Sequence, residues 1–228
     1  MEKGRLILFD IDCTLIDTGG AGRQALRWVV KNRYGVDDDL RDIEIAGRTD
    51  SGIVARILQK YGVKMTSENI AAFLNEYIEL LGDLLPQLQG RVLPGIAEIL
   101  PRLHSSSDHL LGLLTGNIRR GAKLKLEYYG LWQFFSFGAF ADDHHDRNEL
   151  GSVACVRALE HSRRRFEGCS VDVIGDTEHD IACGKAIGAR TIAVATGSWS
   201  RERLSQAQPD FLFDDLSQVD EAIAMLDW

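Results

Sequence analysis

Three short apolar runs in the chain each end in a small or acidic polar cluster, and a helical pattern follows each cluster. The runs lie at residues 5–10, 109–114 and 171–175, and two further strand-like runs lie at 137–140 and 191–195. Strands that alternate with helices favour a parallel sheet with helices on both faces. The sequence therefore predicts an α/β protein, in which ligands bind at the sheet edge where the polar clusters lie.

The first polar cluster contains two aspartates, Asp10 and Asp12, directly after the apolar residues 6–9. Alternate residues of an extended chain share a face, so the two carboxylates are expected to lie side by side. Such a pair can divide the work of catalysis, with one carboxylate as nucleophile or metal ligand and the other as proton carrier. For an isolated pair, two solvated acids in a turn are the alternative.

A segment between the first two strands interrupts the alternation of strands and helices. From about residue 20 to residue 90 the patterns are helical only, at 23–34, 51–61 and 67–85, and each is ended or followed by Gly or Pro. The segment is therefore interpreted as a helical insertion. The alternative is that these helices pack on the sheet as part of a single domain.

Composition limits the classes of partner. With 228 residues and 45% hydrophobic content, the chain can fill one core and a smaller module. The net charge of -8 argues against nucleic acid or an anionic membrane as the main partner. No apolar stretch approaches the roughly 18 residues needed to cross a bilayer. The four cysteines show no CxxC spacing and follow no signal peptide, so we expect a reduced cytoplasmic protein.

Four motifs in order along the chain carry a family resemblance. They are DIDCT at 10–14, LLTGN at 113–117, the basic Arg147, and GDTEHD at 175–180. Together they resemble the haloacid dehalogenase-like (HAD) hydrolase superfamily, most closely its phosphoglycolate phosphatase-like group. The resemblance implies a Rossmann-like core formed by residues 1–17 and 92–228, with a C1-type helical cap at 18–91.

The resemblance also implies catalytic roles. Asp10 corresponds to the nucleophile that attacks phosphorus and forms an aspartyl phosphate, and Asp12 to the general acid that protonates the leaving alkoxide. Asp176 and Asp180 correspond to metal-site residues, which would hold Mg²⁺ together with Asp10 and the backbone carbonyl of Asp12. Asp180 could bind the ion through water, or it could only cap the helix that follows.

Phosphate-binding roles fall on the second and third motifs. Thr115, Gly116 and Asn117 are expected to surround the phosphoryl oxygens at a helix N-terminus. The alternative for this motif is a capping role between strand and helix. Arg147 stands where many members of the family have Lys, and it is expected to orient Asp10 and neutralise the phosphoryl group. The alternatives are that Arg147 is a surface charge, or that its role passes to Lys123 or Lys125.

Two further positions bear on substrate and rate. Arg48, in the loop AGRTD at 46–50, is expected to contact the leaving group from the cap, with a solvated surface charge as the alternative. Cys13 stands where Gly is usual in the first motif, so it is expected to narrow the loop beside the phosphate site. A thiol nucleophile is disfavoured, because no His partner is near in sequence. His179 is expected to be a loop residue, since imidazole suits softer metals than Mg²⁺. The cluster 142–145 is expected to be a solvated rim near the mouth of the site, with a metal site as the alternative.

The leading interpretation is a Mg²⁺-dependent phosphomonoester hydrolase of a small phosphorylated metabolite, acting as a monomer or homodimer. A phosphosugar mutase shares the aspartyl-phosphate step but returns the phosphoryl group to a sugar hydroxyl. A catalytically silent binding module is the alternative from another class. The sequence does not name the substrate, because specificity depends on cap side chains whose positions one chain does not reveal.

Overall fold

The computed structural model describes residues 4–228 and contains a six-stranded parallel sheet. The six strands of the sheet are β1 (Arg5–Phe9), β4 (His109–Leu114), β5 (Phe137–Ala139), β6 (Val171–Gly175), β7 (Arg190–Val194) and β8 (Phe211–Phe213), and two short strands outside it are β2 (Ile16–Asp17) and β3 (Arg91–Val92). The strand order in the sheet is β5-β4-β1-β6-β7-β8, and every neighbouring pair is parallel. The predicted α/β fold is confirmed.

Nine helices account for most of the remaining chain within the described residues. They are α1 (Ala21–Tyr34), α2 (Asp50–Lys60), α3 (Ser67–Leu84), α4 (Ile96–Ser105), α5 (Arg119–Tyr128), α6 (Arg147–Ser162), α7 (Glu178–Ala186), α8 (Arg201–Gln206) and α9 (Val219–Leu226). No helix in this part of the chain is long and apolar enough to cross a membrane.

Two hydrophobic layers cover the sheet. Because side chains alternate along a strand, Ile7 and Phe9 of β1 lie in the cluster that includes α4, α5 and α9 residues. Leu6 and Leu8 point to the other face and pack with residues of α6 and α7. All four side chains are fully buried. The central strand is therefore apolar on both faces, as the continuous run in its sequence predicts.

Helices α1, α2 and α3 form most of another hydrophobic cluster, which Ile118 and Ala141 join, and Val29, Val54 and Phe73 are fully buried inside it. The chain enters this helical segment from β2 and leaves it through β3, and these two short strands pair with each other in antiparallel orientation. The expected cap boundary at 17/18 falls at the end of β2, and the boundary at 91/92 falls within β3. The division into core and cap stays a prediction, and its residues 1–3 lie outside the described part of the chain.

Candidate active site

The polar ends of β1, β4 and β6 meet at one edge of the sheet because these strands are neighbours. Asp10 follows β1, Thr115 follows β4 and Asp176 follows β6. The strand register places Phe9 of β1 next to Leu113 of β4 and Ile174 of β6. Each of these residues lies one or two positions before the polar cluster that follows its own strand. The three polar motifs, which are far apart in the sequence, therefore converge at one place.

Asp10, Asp176 and Asp180 form a buried group of carboxylates. One oxygen from each lies within 4.8 Å of the others, and the residues are 6%, 4% and 3% exposed. Burial raises the pKa of Asp10 to about 6, although Arg147 opposes the shift, and the charge of Asp180 raises it further. Burial and the charges of Asp180 and Asp10 hold the pKa of Asp176 well above its usual range. Three close carboxylates with hard oxygen donors fit a divalent cation such as Mg²⁺.

Arg147, the first residue of α6, is the cation inside this group. Its Nη2 lies 3.0 Å from Asp10 Oδ1 and also pairs with Asp180. The second oxygen of Asp180 accepts hydrogen bonds from the backbone N–H (3.0 Å) and the hydroxyl (2.7 Å) of Thr177. Asp180 therefore forms a capping box with Thr177 at the start of α7 and also faces the carboxylate group, and its role as a metal ligand stays a prediction.

Asp12 lies beside this group and pairs with Lys125, a residue of α5. Lys125 Nζ lies 2.8 Å from Asp12 Oδ1 and 2.7 Å from Oδ2. Asn117 donates from its amide nitrogen to Asp12 (2.8 Å) and to the hydroxyl of Thr115 (2.9 Å). Burial alone would lower the pKa of Lys125, but the charge of Asp12 and the neighbouring Tyr77 and Asp50 raise it.

The 46–50 loop of the helical segment packs against the 115–117 loop. Asp50 donates its backbone N–H to the Gly116 carbonyl (2.7 Å), and its carboxylate accepts from the backbone N–H of Ile118 (2.8 Å). A Cβ on Gly116 would lie 2.2 Å from the carbonyl oxygen of Arg48. Glycine is therefore required at 116 because the two loops approach so closely.

A cleft of about 260 Å³ lies between the sheet edge and the helical segment. Asp10, Asp12, Arg147 and Asp176 line its floor. The side chains that the helical segment contributes include Arg23, Leu26, Ile45, Arg48, Ile53 and Tyr77.

Residues 7–194 match the protein family described as haloacid dehalogenase-like hydrolase. The chain belongs to this family. Two similar proteins are the "Probable phosphatase IndB" of Dickeya dadantii and the "Phosphoglycolate phosphatase" of Synechococcus elongatus, each 28% identical. The first alignment covers 94% of this chain and 91% of the relative, and the second covers 96% and 97%.

Solved structures share the HAD-like fold. The phosphate complex of CbbY from Rhodobacter sphaeroides superposes with a TM-score of 0.76 at 19% identity, covering 94% of this chain and 96% of that one. A predicted phosphoglycolate phosphatase from Haemophilus somnus superposes with a TM-score of 0.73 at 18% identity, covering 97% and 99%. At these identities the likeness extends to the fold alone.

Arg48 of this HAD-like hydrolase forms hydrogen bonds with Glu44, another residue of the helical segment. Its Nε and Nη2 donate to Glu44 Oε2 at 2.8 and 2.6 Å, although the residue also lines the cleft. His179 lies 3.5 Å from Glu44 and contacts the ring of Trp199 edge to face. Among the described residues, the metal-binding geometry involves carboxylates only, and His179 is not part of it.

Cys13 has a left-handed backbone conformation, with φ of 57°. Glycine adopts this conformation without cost, which accounts for the Gly that is usual here in HAD-like motifs. Burial raises the pKa of the Cys13 thiol to about 12, and the charge of Asp176 adds to the shift. A thiol with this pKa is protonated near neutral pH, so the thiol is a poor nucleophile.

The rim cluster at 142–145 is held by protein contacts. Asp143 forms a bidentate pair with Arg157 at 2.6 Å for both bonds, and it also accepts from the backbone N–H of Phe140. Asp142 accepts from the backbone N–H of Arg119 at 2.5 Å. These carboxylates are occupied in anchoring the loop.

Lys125 has its own partner in the site, whereas the sequence suggests it only as a substitute for Arg147. The structure contains both cations, with Arg147 on Asp10 and Lys125 on Asp12. Lys125 lies with Ala122 and Leu126 on the buried stripe of α5. A charged residue on the apolar face of a helix is a signal that could have identified it, because such a residue needs a buried partner.

Proposed function

We propose that this chain is a Mg²⁺-dependent phosphomonoester hydrolase that acts on a small phosphorylated metabolite through an aspartyl-phosphate intermediate. The observation that carries the proposal is the buried group of Asp10, Asp176 and Asp180 with Arg147 inside it. Relatives named as phosphatases, aligned over nearly their whole length, support the same reaction class.

In the first step an oxygen of Asp10 attacks phosphorus, and the bond between phosphorus and the ester oxygen breaks. Arg147, 3.0 Å from Asp10, orients the attacking carboxylate and offsets the charge of the transferring group. When bound, the metal ion supplies positive charge that favours the ionised carboxylates and shields the phosphoryl group. Asp10 and Asp176 would hold it with the backbone carbonyl of Asp12, and Asp180 would do so directly or through water.

Asp12 carries the proton in both steps. It protonates the leaving alkoxide, which departs as the alcohol, and it then takes a proton from the water that attacks the aspartyl phosphate. The products are inorganic phosphate and the restored Asp10 carboxylate. Thr115, Gly116 and Asn117 line the same cleft, and we propose that they contact the phosphoryl oxygens.

The helical segment 18–91 is proposed to act as the cap that recognises the leaving group. A cleft of about 260 Å³ suits a small metabolite. We propose Arg48 as a substrate contact, for which the substrate must compete with Glu44. Relatives named phosphoglycolate phosphatase and "Pyrophosphatase PpaX" indicate a range of small phosphorylated substrates among similar proteins.

The reaction class is tested with purified protein and a panel of phosphorylated metabolites, with release of inorganic phosphate as the readout. Turnover is expected with Mg²⁺ and is expected to be lost in excess chelator or in Asp10→Asn. Asp83→Asn, an exposed acid on α3, is the matched control and should retain activity. Full turnover in chelator would contradict the metal requirement, and isomerised product in excess of phosphate would favour the mutase.

Asp12→Asn tests the general acid. A nitrophenolate leaving group hardly needs a proton, whereas an alkyl alkoxide does. The variant is therefore expected to lose about a hundredfold in kcat/KM on an alkyl phosphate, and much less on 4-nitrophenyl phosphate. Equal losses on the two esters would exclude the acid assignment.

A further inference from the structure

A closed ring of three side chains lies behind the proposed general acid. Lys125 Nζ binds both oxygens of Asp12 at 2.8 and 2.7 Å, and it donates to Asn117 Oδ1 at 2.7 Å. The amide nitrogen of Asn117 completes the ring with a 2.8 Å bond to Asp12 Oδ2. Each member contacts the other two, so the Asp12 carboxylate is held from two directions.

The ring joins an exposed acid to a buried cation. The Asp12 side chain is 40% exposed towards the cleft, whereas the Lys125 side chain is 4% exposed. An ammonium group has three donors, and the two Asp12 oxygens and Asn117 Oδ1 supply three acceptors. The three Lys125 donors are therefore matched by three acceptors within the ring, and Asp12 is the ring member most exposed to the cleft.

We propose that Lys125 is a positioning residue for Asp12, and that it fixes the plane of this carboxylate so that one oxygen faces the leaving group. The inference rests on the proposed function of Asp12 as general acid. Positioning contributes to rate because small errors in the placement of a catalytic group are costly. The ring also links Asp12 to the 115–117 loop through Asn117, so the acid and the proposed phosphoryl-binding loop are held in a fixed position relative to each other.

Two residues of the helical segment lie close to Lys125, and they define a purely structural alternative. Tyr77 of α3 and Asp50 of α2 both interact electrostatically with it. In that alternative Lys125 only neutralises buried acids, and its removal would destabilise the protein without a preference for one type of substrate. A test must therefore separate proton transfer from general loss of activity.

The test compares Lys125→Met with Lys123→Met on 4-nitrophenyl phosphate and on propyl phosphate. Lys123 lies on the same helix, is 53% exposed and pairs only with Glu127 among the contacts of the described residues. Lys125→Met is expected to lower kcat/KM on propyl phosphate about tenfold more than on 4-nitrophenyl phosphate, with the loss in kcat. Lys123→Met should leave unchanged the ratio of kcat/KM on 4-nitrophenyl phosphate to kcat/KM on propyl phosphate.

Two more variants complete the design. Lys125→Arg, which can bind both carboxylate oxygens, should bring the ratio of the two kcat/KM values part of the way back to that of the wild-type protein. In an Asp12→Asn background, Lys125→Met should not change the ratio further, because the positioned acid is already absent. If Lys125→Met fails to fold, Lys125→Gln, which can still donate one hydrogen bond, replaces it in the same comparison.

Equal losses on the two esters, or a further rise of the ratio in the double variant, would overturn the positioning role and leave the proposed hydrolase intact. If the wild-type chain releases phosphate from neither ester and from no metabolite of the panel, the proposed function itself fails, and the inference fails with it.

Discussion

Cys13 has an unusual backbone for a residue with a side chain. A left-handed φ of 57° costs an L-residue about 1–2 kcal/mol. Substitution by glycine removes this cost, but the unfolded chain gains conformational entropy, which lowers the free energy of unfolding by roughly 0.4–1 kcal/mol. Cys13 is therefore a position where the loop tolerates strain beside the carboxylate group.

Cys13→Gly is expected to raise the free energy of unfolding by up to about 1 kcal/mol, measured by urea denaturation. Cys169→Gly is the matched control, because Cys169 is exposed and lies outside the left-handed region. The control should be destabilised by about 0.5–1 kcal/mol. Equal destabilisation of both variants would contradict the strain at position 13.

Arg48 shows how a cap residue can be shared between structure and recognition. Glu44 binds two of its nitrogen atoms, and partial exposure of both side chains keeps this pair weak. A substrate anion could therefore displace Glu44 at modest cost. The two residues together, rather than Arg48 alone, determine the charge presented to the cleft.

Arg48→Ala is expected to lower kcat/KM about tenfold or more for the best metabolite, since a charged hydrogen bond contributes roughly 1.5–3 kcal/mol. The effect on 4-nitrophenyl phosphate should be slight, because this ester carries no group that reaches Arg48. Glu44→Gln, which removes the competing charge, should not lower kcat/KM for the metabolite. An unchanged kcat/KM in Arg48→Ala would place this residue outside recognition.

At the scale of elements, α2 caps α5. The N-cap residue of α5, Ile118, has no side-chain acceptor of its own, and its N–H donates to Asp50 across the two loops. Burial raises the pKa of Asp50 to about 6, although Lys125 opposes the shift. A neutral acceptor at this position should therefore serve nearly as well as a carboxylate.

Asp50→Ala is expected to lower the free energy of unfolding by about 1–2 kcal/mol, because it removes a helix cap and leaves the Ile118 N–H without this partner. Asp50→Asn keeps an acceptor oxygen and should lose less. Both free energies can be measured by urea denaturation. If the Asn variant loses as much as the Ala variant, the capping bond does not account for the stability of this contact.

For the whole molecule, the raised pKa values imply a specific pH dependence. Asp10 and Asp50, each with a pKa of about 6, keep protons in the folded state that the unfolded chain releases near its usual pKa of about 3.9. Their contribution to stability is therefore present below about pH 4 and is lost as pH rises towards about 6. Above that pH, the carboxylates in the metal-free site repel one another.

Mg²⁺ is expected to reverse this loss by binding the ionised carboxylates. At a concentration of about one hundred times Kd it should stabilise the fold by about 2.7 kcal/mol, so Tm should rise. The rise should be larger at about pH 8 than at about pH 5, where protons compete for Asp10 and Asp176. Asp176→Asn is the control and should show a smaller rise. An equal rise at both pH values would contradict the proposed carboxylate site.

The α/β fold class and the convergence of the polar motifs at one edge of the sheet both follow from the sequence alone. Helical patterns predicted at 23–34, 51–61 and 67–85 correspond to α1, α2 and α3 within two residues. Apolar runs locate strands because burial depends on local periodicity. Neighbouring parallel strands end at the same edge of the sheet, so Asp10 and Asp176 lie close together independently of the loop conformations.

The partners of the polar side chains, in contrast, depend on the packing of the folded chain. Lys125 reaches Asp12 over 113 positions, and Asp50 reaches Ile118 over 68. Arg48 lines the cleft and also pairs with Glu44, four residues before it, and the sequence did not indicate this pair. Periodicity indicates which face of a helix is buried, but the partner of a buried charge depends on how helices and loops pack, and packing is a property of the whole fold.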